Sequence, residues 1–241
     1  FSPVWLYRII SVTLKYRCDL IIVRDLPMGL AGTFSARVAR IPCVLDMAEC
    51  YPEMLRCTWE FEGGSVKNYI LRNPKLADLV EKAVLKRVKQ VWVMIEESRD
   101  RLLRLGVPRE KIKVISNTPV LARFGQDRKS RPFRGETKDK KKLRLIYVGL
   151  LNPSRGLDTT IRAVGKYIKK NPDFEFIVVG RGKAEAKLQE MASDLKLDHC
   201  VRFLGWVENS QVPALIADAD IGIVPHHKCS HWDNTIPNKL F

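Results

Sequence analysis

The groups best able to hold a charged ligand sit in two glycine-bearing turns. The first follows the apolar run Leu143–Val148 and reads Gly149-Leu150-Leu151-Asn152-Pro153-Ser154-Arg155-Gly156; the second follows Phe174–Val179 and reads Gly180-Arg181-Gly182. Glycine has no Cβ, so a phosphate can approach the backbone closely at such turns. Arg155 stands at the start of the helical stretch that follows, where it is placed to meet an anion. The spacing points to a nucleotide or another phosphorylated ligand. Trp206, in Gly205-Trp206 after the run Val201–Leu204, is suited to line a base pocket or to ordinary packing. Asp46 ends a further apolar run and Glu49 follows it, so both are candidates for acceptor-side chemistry or for helix capping and solvation. The stretch His226-His227-Lys228-Cys229-Ser230-His231-Trp232-Asp233 has metal-ligand residue types, but its short irregular spacing is not a known zinc pattern, so no metal is expected.

These groups need strands and helices to hold them. The runs Leu143–Val148, Phe174–Val179, Val201–Leu204 and Ile221–Pro225 are short and rich in Val, Ile and Phe. That is the pattern of buried parallel strands joined by crossover helices, predicted here at about 157–170, 183–196 and 210–217, the last capped by Asn209-Ser210. Ligands on such sheets sit outside the carboxyl ends of the strands, where the glycines fall. The first part of the chain repeats the pattern: a helix over Phe1–Tyr16, a strand over Asp19–Val23, a turn at Arg24–Pro27, a helix over Met28–Arg40 with small residues for close packing, and a strand over Pro42–Asp46. Met47–Glu53 reads as a loop, Trp59–Asn68 as an irregular, mobile loop over a site, and Tyr69–Gln90 as a helix interrupted or started at Pro74. A strand over Val91–Ile95, a helix from Glu96 to Leu105 and a strand over Lys113–Ser116 complete this half. The expected organisation is a first domain over 1–125, a basic linker over 126–142 and a second domain over 143–241.

The chain has 241 residues, of which 46% are hydrophobic and 29% charged, a globular composition. It has no uninterrupted apolar run long enough for a membrane span. The net charge of +15 calls for acidic partners such as nucleotide phosphates, anionic headgroups or nucleic acid. Between Gln126 and Arg144 nine Lys/Arg face three Asp/Glu, which suits a solvated basic loop. The segment 77–90 has apolar residues on one helical face and Lys82, Lys86, Arg87 and Lys89 on the other, a face for solvent or for peripheral contact with an anionic membrane. The six cysteines form no C-x-x-C pair, and reduced thiols are expected. Both ends read as cuts.

In register, Leu143–Gly149, Arg155-Gly156-Leu157-Asp158, Phe176–Gly182, Val201–Val207, Ala219–Pro225 and Asn234–Phe241, together with Asp25-Leu26-Pro27, Pro42–Asp46 and Lys113–Asn117, resemble the family-four glycosyltransferases over nearly the whole chain. The resemblance implies an α/β architecture of two Rossmann-like domains facing across a cleft, the GT-B arrangement, both incomplete in this stretch. It implies a retaining, metal-independent hexosyltransferase with no cofactor, a nucleotide-sugar donor on the second domain and a glycan or lipid-linked acceptor on the first. Arg155 matches a basic residue that contacts the donor diphosphate, Gly205, Trp206 and Val207 match the segment beside the base, and Gly149, Gly180 and Gly182 match glycines at which the donor approaches. Lys239 is a second candidate cation. Asn234 takes the place of the first Glu in the family's pair of carboxylates, where an amide still bonds a sugar hydroxyl but carries no charge.

The sequence also departs from the family's pattern. Leu150 stands where many members carry Arg, and Ala48 where many carry His. The second carboxylate and the family's Gly-rich amino-terminal loop are expected outside this stretch. An epimerase of the same architecture and a basic nucleic-acid-binding protein are the alternatives, the second weakened by basic residues scattered without a recognised nucleic-acid motif. The expected setting is surface polysaccharide biosynthesis in the cytoplasm, peripheral to the inner face of the plasma membrane.

Overall fold

The structure is a computed structural model that describes residues 3–63, 72–117 and 142–237. It divides into two compact units: one runs to Asn117 and takes in Lys228–Ile236, and the other runs to His227 and takes in Pro237. The expected linker over 126–142 lies almost wholly outside the described residues.

The first unit contains α1 (Pro3–Lys15), β1 (Ile21–Arg24), α2 (Gly29–Ala39), β2 (Cys43–Met47), α3 (Tyr51–Glu62), α4 (Pro74–Arg87), β3 (Gln90–Val93), α5 (Glu96–Arg104) and β4 (Ile112–Val114). The strands form one parallel sheet in the order β1-β2-β3-β4. Its centre is apolar on both faces, with Leu45 and Val91 fully buried, which is why these runs lack the alternation of a half-exposed sheet. The small residues of α2 serve the close packing expected of them: a Cβ on Gly32 would lie 2.1 Å from a Val23 methyl. At the start of α4 the Asn73 side chain accepts from the Lys75 and Leu76 amides, with Pro74 in the first turn.

Several predicted boundaries move. Residues 51–53 and 59–62, read as loop, are helical in α3, which has a proline in its first turn, buries Leu55 and Cys57, and stops at Gly63 with φ 74°. Within the predicted helix over 69–90, a helix starts at Pro74, where the proline was expected to break or start one. It ends at Arg87 because the Lys89 amide turns to the Cys43 carbonyl (2.8 Å) and joins the sheet. The loop proposed over 64–68 and the helix start at 69–71 lie outside the described residues.

The second unit contains β5 (Leu143–Val148), α6 (Leu157–Tyr167), β6 (Phe174–Val179), α7 (Glu185–Asp194), β7 (Val201–Gly205), α8 (Val212–Ala217) and β8 (Ile221–Gly222). The parallel order is β7-β6-β5-β8. All six residues of β6 are buried. Phe174, Phe176 and Val178 join Tyr147, Ile161 and Leu188 on one face, while Ile177 and Val179 join Ile146 on the other. The strand's polar member, Glu175, is held by Arg144 and Arg202. Asn209-Ser210 does not cap α8. The cap is Gln211, without a side-chain bond, and a proline in the first turn fixes where the helix begins. The last apolar run yields a strand of only two residues, Ile221–Gly222; the Ile223 amide still reaches the Ile146 carbonyl at 2.9 Å, but Pro225 has no N–H with which to continue the ladder.

Candidate functional site

Arg155 closes a short 3-10 turn, Pro153–Arg155, at the carboxyl end of β5, and Gly156 caps α6. The cap has no side chain, so the first-turn amides of α6 receive no bond from their own cap residue, and a helix start of this kind is suited to an anion. Gly156 is required on two counts. Its φ of 71° is left-handed, and a Cβ would lie 1.8 Å from the Pro225 carbonyl oxygen. The segment after β8 is therefore pressed against the start of α6, and its next two residues fasten it. Arg155 Nη1 lies 3.0 Å from His226 Nε2. His227 Nε2 lies 2.8 Å from Asp158 Oδ1, and the His227 amide donates to the Ser154 carbonyl at 3.1 Å.

These contacts set the two imidazoles apart. A guanidinium has only donors, so His226 must present a bare, accepting Nε2; an ionised carboxylate only accepts, so His227 must donate from its Nε2–H. Beneath them the fully buried Tyr147 donates to the Leu150 carbonyl at 2.8 Å. Burial pushes its phenol up to about 12, against an opposing pull from the Arg155 charge, so it remains a protonated donor that fixes the Gly149-Leu150 turn.

The strand-end glycines lie together. The Gly149 amide donates to the Val179 carbonyl (2.9 Å) and the Gly180 amide to the Gly205 carbonyl (2.7 Å), so β5, β6 and β7 stay paired beyond their last side chains. A Cβ on Gly180 would fall 1.9 Å from the Gly149 oxygen, and one on Gly182 would fall 2.4 Å from the Leu151 oxygen. Glycine is thus demanded here first by the chain's own backbone. Trp206 follows β7 and is 68% exposed, so it is not a packing residue of this unit. Val207 packs against the Ile146–Ile177–Val179 cluster. Lys239 lies outside the described residues.

In the first unit, Asp46 accepts from Arg24 Nη1 at 2.8 Å, so this candidate is ion-paired at the carboxyl end of β2. Its neighbour Asp25 holds the following loop: one carboxylate oxygen accepts from the Ala48 amide (3.0 Å) and the Glu49 amide (3.2 Å). Asp25 does so with φ 58° and ψ 170°, a region that costs about 1–3 kcal/mol for a residue with a side chain. Asn234 also belongs to this unit. Its carbonyl accepts from Ser98 Oγ at 2.6 Å, and its side-chain amide donates to the Ser230 carbonyl at 2.7 Å. The two residues taken as catalytic, Arg155 and Asn234, thus lie in different units.

Sequence reasoning passed over the partners of these groups: His226 and His227 as partners of Arg155 and Asp158, and Asp25 as the anchor of residues 48–49. The His226–Asp233 stretch was legible as polar and unusual, but it does not converge. His226 and His227 turn to α6 and its cap, Cys229 packs its thiol on Cys57 (2.7 Å), Ser230 donates to Glu53, and His231 is buried beside Trp232. No three of His, Cys, Asp and Glu gather into a metal-sized group among the described residues. No helix among them is long and apolar enough to cross a membrane.

Known proteins resemble both halves of the chain. The family described as "Glycosyl transferases group 1" matches residues 129–232, and the one described as "Glycosyl transferase 4-like domain" matches residues 2–118. The amylovoran biosynthesis glycosyltransferase AmsK of Erwinia amylovora is 26% identical over 125 residues, which are 52% of this chain and 29% of that protein. The phosphatidylinositol N-acetylglucosaminyltransferase GPI3 subunit of Saccharomyces cerevisiae strain RM11-1a is 31% identical over 123 residues, which are 50% of this chain and 26% of its own length. Among solved structures, Anabaena Alr3699/HepE in complex with UDP superposes with a TM-score of 0.67 at 17% identity, covering 92% of this chain and 57% of that one. The chain therefore spans little more than half of such structures and less than a third of these curated relatives. With two parallel α/β sheets, a match to each half and GT-B glycosyltransferases as structural neighbours, the chain belongs to the group 1, family-four glycosyltransferases.

Proposed function

We propose that the protein containing this chain is a retaining, metal-independent hexosyltransferase. It moves a sugar from a nucleotide-sugar to a glycan or lipid-linked acceptor in surface polysaccharide biosynthesis, with no cofactor. The observation that carries this reading is Arg155, locked by His226 at the uncapped amino terminus of α6. When the sugar leaves, the nucleoside diphosphate gains negative charge. A preorganised guanidinium and the first-turn amides of a helix stabilise that charge without a metal. The donor lies along the Gly149–Gly180–Gly205 edge, with Trp206 and Val207 on the base side and Lys239 as a further cation. Asn234 bonds a sugar hydroxyl, and Asp46 and Glu49 face the acceptor.

The relatives support the substrate classes. AmsK is named for amylovoran biosynthesis, GPI3 for transfer of N-acetylglucosamine to phosphatidylinositol, and HepE has been crystallised with UDP and with UDP-glucose. The exposed Lys82, Lys86, Arg87 and Lys89 around the end of α4 suit peripheral contact with an anionic inner membrane face.

A thermal-shift panel of UDP-, GDP- and ADP-sugars on the full-length protein tests the reading. One donor raises the melting point. With acceptor present and EDTA added, transfer continues, and NMR of the product shows the donor's anomeric configuration. A product of inverted configuration, or activity abolished by EDTA and restored by a divalent ion, overturns the mechanism. A changed free nucleotide-sugar in the absence of acceptor makes the protein an epimerase instead.

A further inference from the structure

Arg181 lies in the second glycine turn and its side chain is exposed. Among the described residues its guanidinium has no ion-pair or hydrogen-bond partner. Its backbone is fixed, since the Arg181 carbonyl accepts from the Leu151 amide at 3.0 Å. The side chain has a set direction as well. It lies across the end of the neighbouring strand, where a Cβ on Gly205 would sit 3.5 Å from Arg181 Nε and 3.7 Å from Nη2. Gly205 has φ 68°, so the absence of a side chain that keeps this space open is built into the turn. The next residue is Trp206, 68% exposed. A planar fork without a partner among the described residues therefore stands beside Gly205, the residue before the open indole of Trp206, at the carboxyl ends of β6 and β7.

Arg155 occupies the other end of the same edge, beside the segment after β8. The order β7-β6-β5-β8 makes three strand spacings of about 4.8 Å, roughly 15 Å in all, a length on which an extended nucleoside diphosphate can be laid. With its phosphates at Arg155, its base falls at Arg181 and Trp206. A guanidinium only donates, so it bonds a base edge that presents carbonyl acceptors. Guanine offers O6 and N7, and uracil, like thymine, offers O4. Adenine sets an N6 amino donor against it.

We propose that Arg181 reads the base of the donor and selects a carbonyl-bearing base, uracil or guanine, against adenine, with the Trp206 indole as the flat surface beside it. This rests on the donor-binding reading of the preceding section and adds to it the residue that decides the base.

The test is calorimetric titration of the full-length protein with UDP, GDP and ADP, in wild type and in Arg181→Met, Arg181→Lys and Arg155→Ala variants. Arg181 is exposed, so its two variants should keep the wild-type melting point, which is checked first. In the wild type, UDP or GDP binds at least about ten-fold more tightly than ADP. Arg181→Met brings that ratio close to one, Arg181→Lys falls between because an ammonium has no fork, and Arg155→Ala weakens all three ligands alike. If Arg181→Met weakens all three equally, the residue serves the phosphates and the proposal is wrong while donor binding stands. An unchanged ratio, or a wild type that prefers ADP, overturns it equally. If no nucleoside diphosphate binds at all, the donor reading falls and this inference falls with it.

Discussion

Arg155 Nη1 and His226 Nε2 are 3.0 Å apart, a pairing of two groups that are both usually counted as cations. It requires a neutral imidazole with its Nε2 lone pair facing the guanidinium. His226 thus contributes no charge of its own; it holds a charge in place. His226→Ala should weaken donor binding about ten-fold or more, the scale of one hydrogen bond to a charged group at about 1.5–3 kcal/mol. His226→Gln, whose amide oxygen can still accept, should recover part of the loss. In an Arg155→Ala background, His226→Ala should add almost nothing. Additive losses in that double-mutant cycle would separate the two residues.

Gly156 carries the sharpest steric demand in the second unit. Gly156→Ala must place a Cβ 1.8 Å from the Pro225 oxygen at φ 71°. Either the cap of α6 or the 225–227 segment has to move, and both His226 and His227 move with it. A loss of roughly 3 kcal/mol in stability is expected from the left-handed backbone and the clash together. Donor affinity should fall as far as in His226→Ala. Urea unfolding and donor titration of one variant check both halves, and a variant with wild-type affinity would show that the segment does not position Arg155.

What the sequence disclosed, and what it did not, follows from the range of the interactions. Runs such as Phe174–Val179 announce themselves because strands buried on both faces need apolar residues at every position, and all six are buried. Gly149, Gly180 and Arg155 were legible because they sit at fixed offsets from such runs. The start of α3 at Tyr51 was missed because its cap, Cys50, makes no side-chain cap bond. Asn209-Ser210 had the chemistry of a cap and lost to a proline three residues on. His226 could not be assigned to Arg155, 71 residues away, nor Asp25 to the amides of residues 48 and 49, by any local pattern. Only the return of the chain to the same strand ends brings them together.

Glu81 and Arg101 form a two-pronged ion pair between α4 and α5, with Nη1–Oε1 and Nη2–Oε2 distances of 3.1 and 2.7 Å. Their side chains are only 2% and 11% exposed. Removing one member of such a pair leaves a buried charge uncompensated. Arg101→Met should therefore cost about 3–5 kcal/mol, whereas the double change Glu81→Leu with Arg101→Met should recover most of it. Chemical denaturation of the three proteins decides between this and a pair of no consequence, for which the single variant would lose less than about 1 kcal/mol.

The first unit should also lose stability at alkaline pH, through thiols. Burial pushes the Cys43 thiol up to about 11 and the Cys50 thiol up to about 12, from an ordinary value of 9.0. In the unfolded chain both lose their protons near the ordinary value, while in the folded chain they hold them. Above about pH 9 the folded state thus binds more protons than the unfolded one, and stability falls as pH rises. The full contribution is present below pH 9 and is spent progressively from 9 up to about 11 for Cys43 and about 12 for Cys50, at about 1.4 kcal/mol per pH unit for each thiol. Urea midpoints measured at pH 8, 9.5 and 11 should fall steeply for the wild type. They should fall less for Cys50→Ala, whose midpoint is lower at pH 8 but flatter with pH. Parallel curves for the two proteins would mean that the Cys50 thiol ionises as readily folded as unfolded, and that its burial does not govern its proton.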